Sequence, residues 1–168
     1  MKKSLLKITL ASFCLFMAGT SYSQQVAFPG AEGFGKYAQG PRATSNKEVY
    51  RVTNLNDTGT GSFRDAVSRP GRYIVFDVAG VIKINSAIVV SPNTYIAGQT
   101  APGEGITIYG DGISFSGANN AICRYLRVRA GKDSRREDAF GLSNGQNIIF
   151  DHVSIAWGRR NLFGDFRW

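Results

Sequence analysis

From Tyr73 onward the chain reads as short apolar runs broken by Gly, Asn and Pro. "YIVFDVAG", "VIKI", "TYIAG", "ITIYG", "ISFSG", "ICRYLRVRAG", "AFGLSNG" and "NIIFDHVSIAWG" follow one another. Val, Ile, Tyr and Phe dominate, and many runs are only four or five residues long, so they predict β-strands. Similar runs start at positions 73, 95, 122 and 148, a loose period in the twenties. That period suits a solenoid whose turns each hold two or three short strands. An antiparallel sandwich is the competing arrangement. It is disfavoured by the shortness of the strands and by the lack of Asn-Gly or Asp-Gly turns midway between matched long strands. The expected fold is all-β, a parallel β-helix. Helix signals are nearly absent. Only Gly61 to Arg69 reads as a short helix, with Ser62 as cap and Asp65 completing a capping box.

Upstream of that pattern, residues 1–23 have a different layout. Lys2, Lys3 and Lys7 precede the apolar "ITLASFCLFMAG", and Ser21 and Ser23 supply small residues before a cut. This is the plan of a secretory signal peptide, with cleavage expected after Ser23. The apolar run falls short of the ~20 residues a spanning helix needs. The mature chain is therefore expected to be secreted, periplasmic or extracellular, with no membrane association. Loss of three lysines lowers the formal charge from +8 to +5. So small an excess suits an acidic polymer and does not argue for nucleic acid. Cys14 leaves with the signal, so Cys123 has no intrachain disulfide partner and reads as a small buried hydrophobe. The single histidine excludes a multi-histidine metal site.

Longer stretches are more specific than the period. "VAFPGAEGFGKYAQG" opens the mature chain. "VYRVTNLNDTGTGSFRDAVSRPGRYIVFDVAGVIKI", "TYIAGQTAPGEGITIYG", "CRYLRVRAG" and "DAFGLSNGQNIIFDHVSIAWG" follow in order. Together, over residues 26 to about 158, they resemble a bacterial secreted pectate lyase of polysaccharide lyase family 1. The resemblance implies a right-handed parallel β-helix with an N-terminal cap. It implies polygalacturonate, the demethylated backbone of pectin, as substrate, and β-elimination as reaction. A base takes the proton on C5, beside the carboxylate, and the oxygen at C4 leaves. Calcium would neutralise the charge that builds beside that carboxylate. The resemblance also makes an arginine the base and a lysine its support, both expected on turns beyond residue 158, so the catalytic residues stay unassigned here. A monomer is expected.

The resemblance places calcium at Asp138, in "REDAFGL". Glu137 beside it reads as a solvated acid, and Arg135 and Arg136 stand where relatives carry a second acid. Asp151 and His152 match an Asp-His pair that supports the cleft rather than reacting. Arg127 and Arg129 alternate with Leu126 and Val128. Together with Arg124 and Lys132 they make a basic strand face that is either merely solvated or in contact with an acidic polysaccharide. Arg127, Arg129 and Lys132 are the candidate substrate-binding residues. Two further functions stay open: a non-catalytic β-helix that binds acidic polysaccharide, and a calcium-independent pectin lyase.

The pattern changes again at the end, where "WGRRNLFGDFRW" loses the alternation. Relatives continue with an acidic pair. Bases encoding "RNLFGDFRW" also encode "DETFSVISG" once two bases precede them and the frame shifts. Residues 24–158 are thus expected to form the N-terminal part of the β-helix domain. Residues 159–168 read either as an aberrant, frameshifted tail that leaves the helix incomplete and the chain inactive or insoluble, the favoured reading, or as the polar C-terminal cap of a naturally short chain.

Overall fold

The computed structural model describes residues 24–132, 134–135 and 138–163. Residues 1–23, where a signal peptide is expected, together with Asp133, Arg136, Glu137 and 164–168, lie outside them. Three parallel sheets wind into a solenoid of about four turns. The first sheet holds β1 (Glu48–Val52), β2 (Arg72–Phe76), β5 (Tyr95–Ala97), β8 (Ile122–Arg124) and β11 (Ile149–Asp151), in that order. The second holds β3 (Gly80–Ile84), β6 (Ile106–Gly110), β9 (Leu126–Ala130) and β12 (Ser154–Ala156). The third holds β4 (Ile88–Val89), β7 (Ile113–Ser114), β10 (Asp138–Gly141) and β13 (Asn161–Phe163). From β2 onward, each strand pairs with the strand three places along the chain, one turn away. A sandwich would have paired chain neighbours in antiparallel fashion.

Registers explain why the loose sequence period suffices. Tyr73, Tyr95, Ile122 and Ile149 stack in line, a spacing of 22 residues and then twice 27. Surplus residues leave through the corners, and the strands stay aligned. Inside, similar residues stack on similar residues. Ile74, Ile96 and Cys123 form one column, Ile82, Ile108 and Val128 a second, and Ile88, Ile113 and Phe140 a third. All are buried. Each such side chain contributes roughly 1.5–3 kcal/mol on burial. Phe115 and Phe140 stack at 5.0 Å, and both meet Phe150 edge-on at 5.0 Å. Burial pushes the Cys123 thiol pKa well up, which leaves it protonated and inert.

The corners have their own chemistry. Asn93, Asn120 and Asn147 lie at matching positions on successive turns, with φ of 55°, 59° and 53°. Asn tolerates this left-handed backbone better than most residues. Asn120 Nδ2 donates to Asn93 Oδ1 at 3.3 Å. A second corner splits the run "ICRYLRVRAG". Tyr125, at φ 55°, ends β8 and turns the chain into β9, so the sequence that reads as one strand is two strands on different sheets. Its counterpart one turn later is His152, at φ 53°.

Two devices precede the solenoid proper. Helix α1 (Phe63–Val67) closes the first end of the core, with Phe63 stacked on Phe76 at 5.8 Å. Ser62 Oγ accepts from the Asp65 amide, as the capping pattern predicts. The return half of the box is absent, because the Asp65 carboxylate accepts from the Tyr50 hydroxyl instead. The glycine-rich opening runs along the outside of the first sheet rather than over its end. Ala31 and Ala38 bury Ile122 and Ile149 there, with Phe28 and Tyr95 alongside. Gly35 has no room for a side chain, since a Cβ would lie 2.1 Å from the Ile148 carbonyl oxygen. At the other end, β13 extends the third sheet from within the stretch whose sequence departs from the alternation, with Asn161 opposite Asp138.

Truncating Phe115 tests the internal stacking. Phe115→Ala is expected to cost about 3–5 kcal/mol of stability, read as a lowered midpoint in urea unfolding. A loss under about 1 kcal/mol would mean that the aromatic column is not the core of the later turns.

Candidate functional site

The outer face of the second sheet carries two columns of side chains. Val81, Thr107, Arg127 and Ser154 form one; Lys83, Tyr109 and Arg129 form the other. Arg127 and Arg129 point outward because Leu126, Val128 and Ala130 take the buried positions of β9. Neither guanidinium is loose. Arg127 Nε donates to Thr107 Oγ1 at 2.9 Å, and its Nη2 donates to the Glu104 carbonyl. Arg129 donates from Nη1 to the Ser154 carbonyl and from Nη2 to Ser154 Oγ, both at 2.9 Å. It also lies over the Trp157 ring at 6.0 Å. Lys132 is exposed in the turn just past β9.

Arg124 does not share this face. The corner at Tyr125 turns it away, and it pairs with Asp151 at 2.6 Å. Its guanidinium lies 3.9 Å from the Phe28 ring centre, which fastens the N-terminal segment to the first sheet. His152 Nδ1 meets the other Asp151 oxygen at 2.7 Å, and its ring stacks on Tyr125 at 4.4 Å. Asp151 is thus held between a cation and an imidazole. Burial opposes its charge, but the bonds from Arg124 and His152 outweigh that and hold its carboxyl below the usual range.

Asp138 begins β10, across the second sheet from that corner. Its Oδ1 is buried and has no hydrogen-bond partner among the described residues. An unpaired buried carboxylate oxygen is costly, so it fits a cation ligand. Among the described residues, however, no three His, Cys, Asp or Glu side chains gather as a metal site. Calcium takes six to eight oxygens. Asp138 therefore fits as one ligand, and the described side chains do not complete the shell. Because Phe140 lies opposite Ile113, Asp111 occupies the matching position one turn earlier. Its Oδ1 accepts from Ser134 Oγ at 3.1 Å and from the Arg135 amide at 2.6 Å, so it anchors the loop before β10. Lys83, Tyr109, Asp111 and Arg135 line a cleft of about 240 Å³ beside it. Motif reading missed Lys83, Tyr109 and Asp111. The signal was present in the spacing: Asp111 stands 27 residues before Asp138, one turn.

Comparison with known proteins follows the same lines. No protein-family model matches the chain. It is 60% identical over 142 residues to the probable pectate lyase C of Aspergillus flavus, covering 84% of this chain and 33% of that protein. It is 55% identical over 159 residues to the probable pectate lyase C of Aspergillus fumigatus, covering 94% of this chain and 36% of that protein. The chain is thus homologous to these lyases along most of its length and spans about a third of theirs. The crystal structure of Jun a 1, the major allergen from cedar pollen, shares the fold. Its TM-score is 0.61 at 20% identity, over 74% of this chain and 42% of that one.

The Asp151 pairing has a pH signature. A carboxyl whose folded pKa is depressed contributes stability above its unfolded value, about 3.9, and loses it as pH falls through the folded value. Asp151→Asn is expected to cost about 3 kcal/mol at neutral pH, because it takes the counter-charge from Arg124 at one-fifth exposure. The difference from the parent should shrink below pH 4 in urea unfolding. A difference that stays constant down to pH 2 would remove the charge pairing as its cause.

Proposed function

We propose that this chain is part of a secreted pectate lyase and supplies the face on which polygalacturonate lies. The observation that carries this reading is the 55–60% identity to probable pectate lyases over most of the chain. The site chemistry agrees with it. Arg127, Arg129 and Lys132 would bind the polymer's carboxylates, and the two arginines are already held in place by Thr107, Ser154 and the Glu104 carbonyl. Fixed guanidinium groups lose less freedom on binding than mobile ones and favour carboxylates geometrically. Asp138 would serve as a calcium ligand through its unpaired Oδ1.

The proposed reaction is β-elimination. A base removes the C5 proton of a galacturonate, and that electron pair becomes the C4=C5 double bond. The C4–O glycosidic bond breaks, and the departing oxygen takes up a proton. Calcium, when bound, would offset the negative charge beside C5 and so make that proton more acidic. Asp151, His152 and Arg124 would hold the corner and the N-terminal segment that border the face.

The first test is binding. The full chain should retain polygalacturonate in affinity electrophoresis, with retention falling as salt is raised. Replacing Arg127 and Arg129 together with Gln should weaken retention at least tenfold. Asp138→Asn should weaken calcium binding at least tenfold by calorimetry. An unsaturated uronide released with calcium and suppressed by chelator would extend the reading to catalysis by this chain. Release indifferent to chelator would indicate calcium-independent pectin lyase chemistry. Binding without any release would mark a non-catalytic polysaccharide binder, and no binding at all would end the reading. Secretion has its own check: the exported protein should begin at Gln24 on N-terminal sequencing.

A further inference from the structure

A cleft of about 340 Å³ opens at the corner between the first and second sheets, within the range of small-ligand pockets. It sits at the corner that begins β9, whereas Asp138 follows the far end of that strand. Gly98 packs against the corner, where a Cβ would lie 2.2 Å from the Tyr125 carbonyl oxygen, while Gly103 opens the rim, where a Cβ would meet nothing within 4 Å. Its walls are Gln99, Glu104, Tyr125, Arg127 and His152.

These side chains are held, yet keep polar atoms in reserve. Arg127 uses Nε on Thr107 and Nη2 on the Glu104 carbonyl, which leaves Nη1. His152 uses Nδ1 on Asp151, which leaves Nε2. His152 stacks flat on the Tyr125 ring at 4.4 Å and Arg124 lies over that ring at 5.4 Å, so the exposed aromatic face at this corner is that of His152, whose side chain is 60% exposed. Both residues sit in left-handed backbone that bulky side chains rarely adopt. Such outliers persist where the surroundings over-determine them, and they gather at functional sites.

The chemistry of these groups selects a ligand. An aromatic ring takes the apolar face of a sugar. A carboxylate takes its hydroxyls. A fixed guanidinium takes a carboxylate. We propose that this cleft, which shares Arg127 with the outer face and lies away from Asp138, is a further saccharide site that binds one uronosyl unit. Its ring packs on the exposed face of His152, which Tyr125 backs, its carboxylate lies on Arg127, and its hydroxyls lie on Glu104. The proposal rests on the polygalacturonate reading and adds a place where the polymer is gripped without calcium.

The single histidine makes the test direct. Trigalacturonate is titrated into the full chain with a chelator present, and the His152 imidazole C–H signals are followed by NMR. Galactotriose serves as the neutral control. A saturable shift with trigalacturonate, unchanged in Asp138→Asn, is expected. Tyr125→Gly, which suits the backbone at that corner, should raise the Kd at least fivefold. Glu104→Gln, on an exposed loop, should raise it at least threefold. If calorimetry detects trigalacturonate binding while the His152 signals stay still, the cleft is not the site and the polygalacturonate reading survives. If galactotriose shifts the signals as far, the uronate assignment is overturned. If trigalacturonate binds nowhere, the reading beneath the proposal has failed.

Discussion

Parallel stacking in strict register is the constraint on which the other features of the molecule depend. Each strand beyond the first turn hydrogen-bonds to the strand one turn away, so no turn can satisfy its backbone or bury its side chains alone. Inward positions must match between turns, and the isoleucine columns do so. Outward positions inherit the same alignment without choosing it. Lys83, Tyr109 and Arg129 stand in a row because Ile82, Ile108 and Val128 stand in a row beneath them.

That inheritance explains what the sequence makes legible. Short strands rich in Ile and Val, spaced in the twenties, are enough to read a solenoid, because strand length and spacing are local properties. Alternation around Leu126 and Val128 is likewise enough to turn Arg127 and Arg129 outward. The corners are not legible in this way. A positive φ at Tyr125 follows no residue preference, and it alone separates Arg124 from the arginines that follow. Asp111 is hidden for another reason: its relation to Asp138 exists only once the register is known.

The corner at Tyr125 and His152 also ties distant parts of the molecule together. Asp151 joins Arg124 to His152, Arg124 lies on Phe28, and His152 lies on Tyr125. One carboxylate thus braces two successive turns and the N-terminal segment. The outer face of the second sheet starts from this brace and ends at the loop that Asp111 anchors. Basic side chains on that face are therefore mounted on a frame fixed at both edges.

The glycine-rich opening has a consequence in time. Gly35 fits against Ile148, and Gly40 donates its amide to the Asn120 carbonyl. These partners lie far along the chain, in the third and fourth turns. Contacts so distant in sequence form late and slow folding. The first part of the solenoid domain to be made is among the last to find its place. Until those turns have stacked, Phe28 and its neighbours have nothing to cover, and Ile122 and Ile149 stay wet.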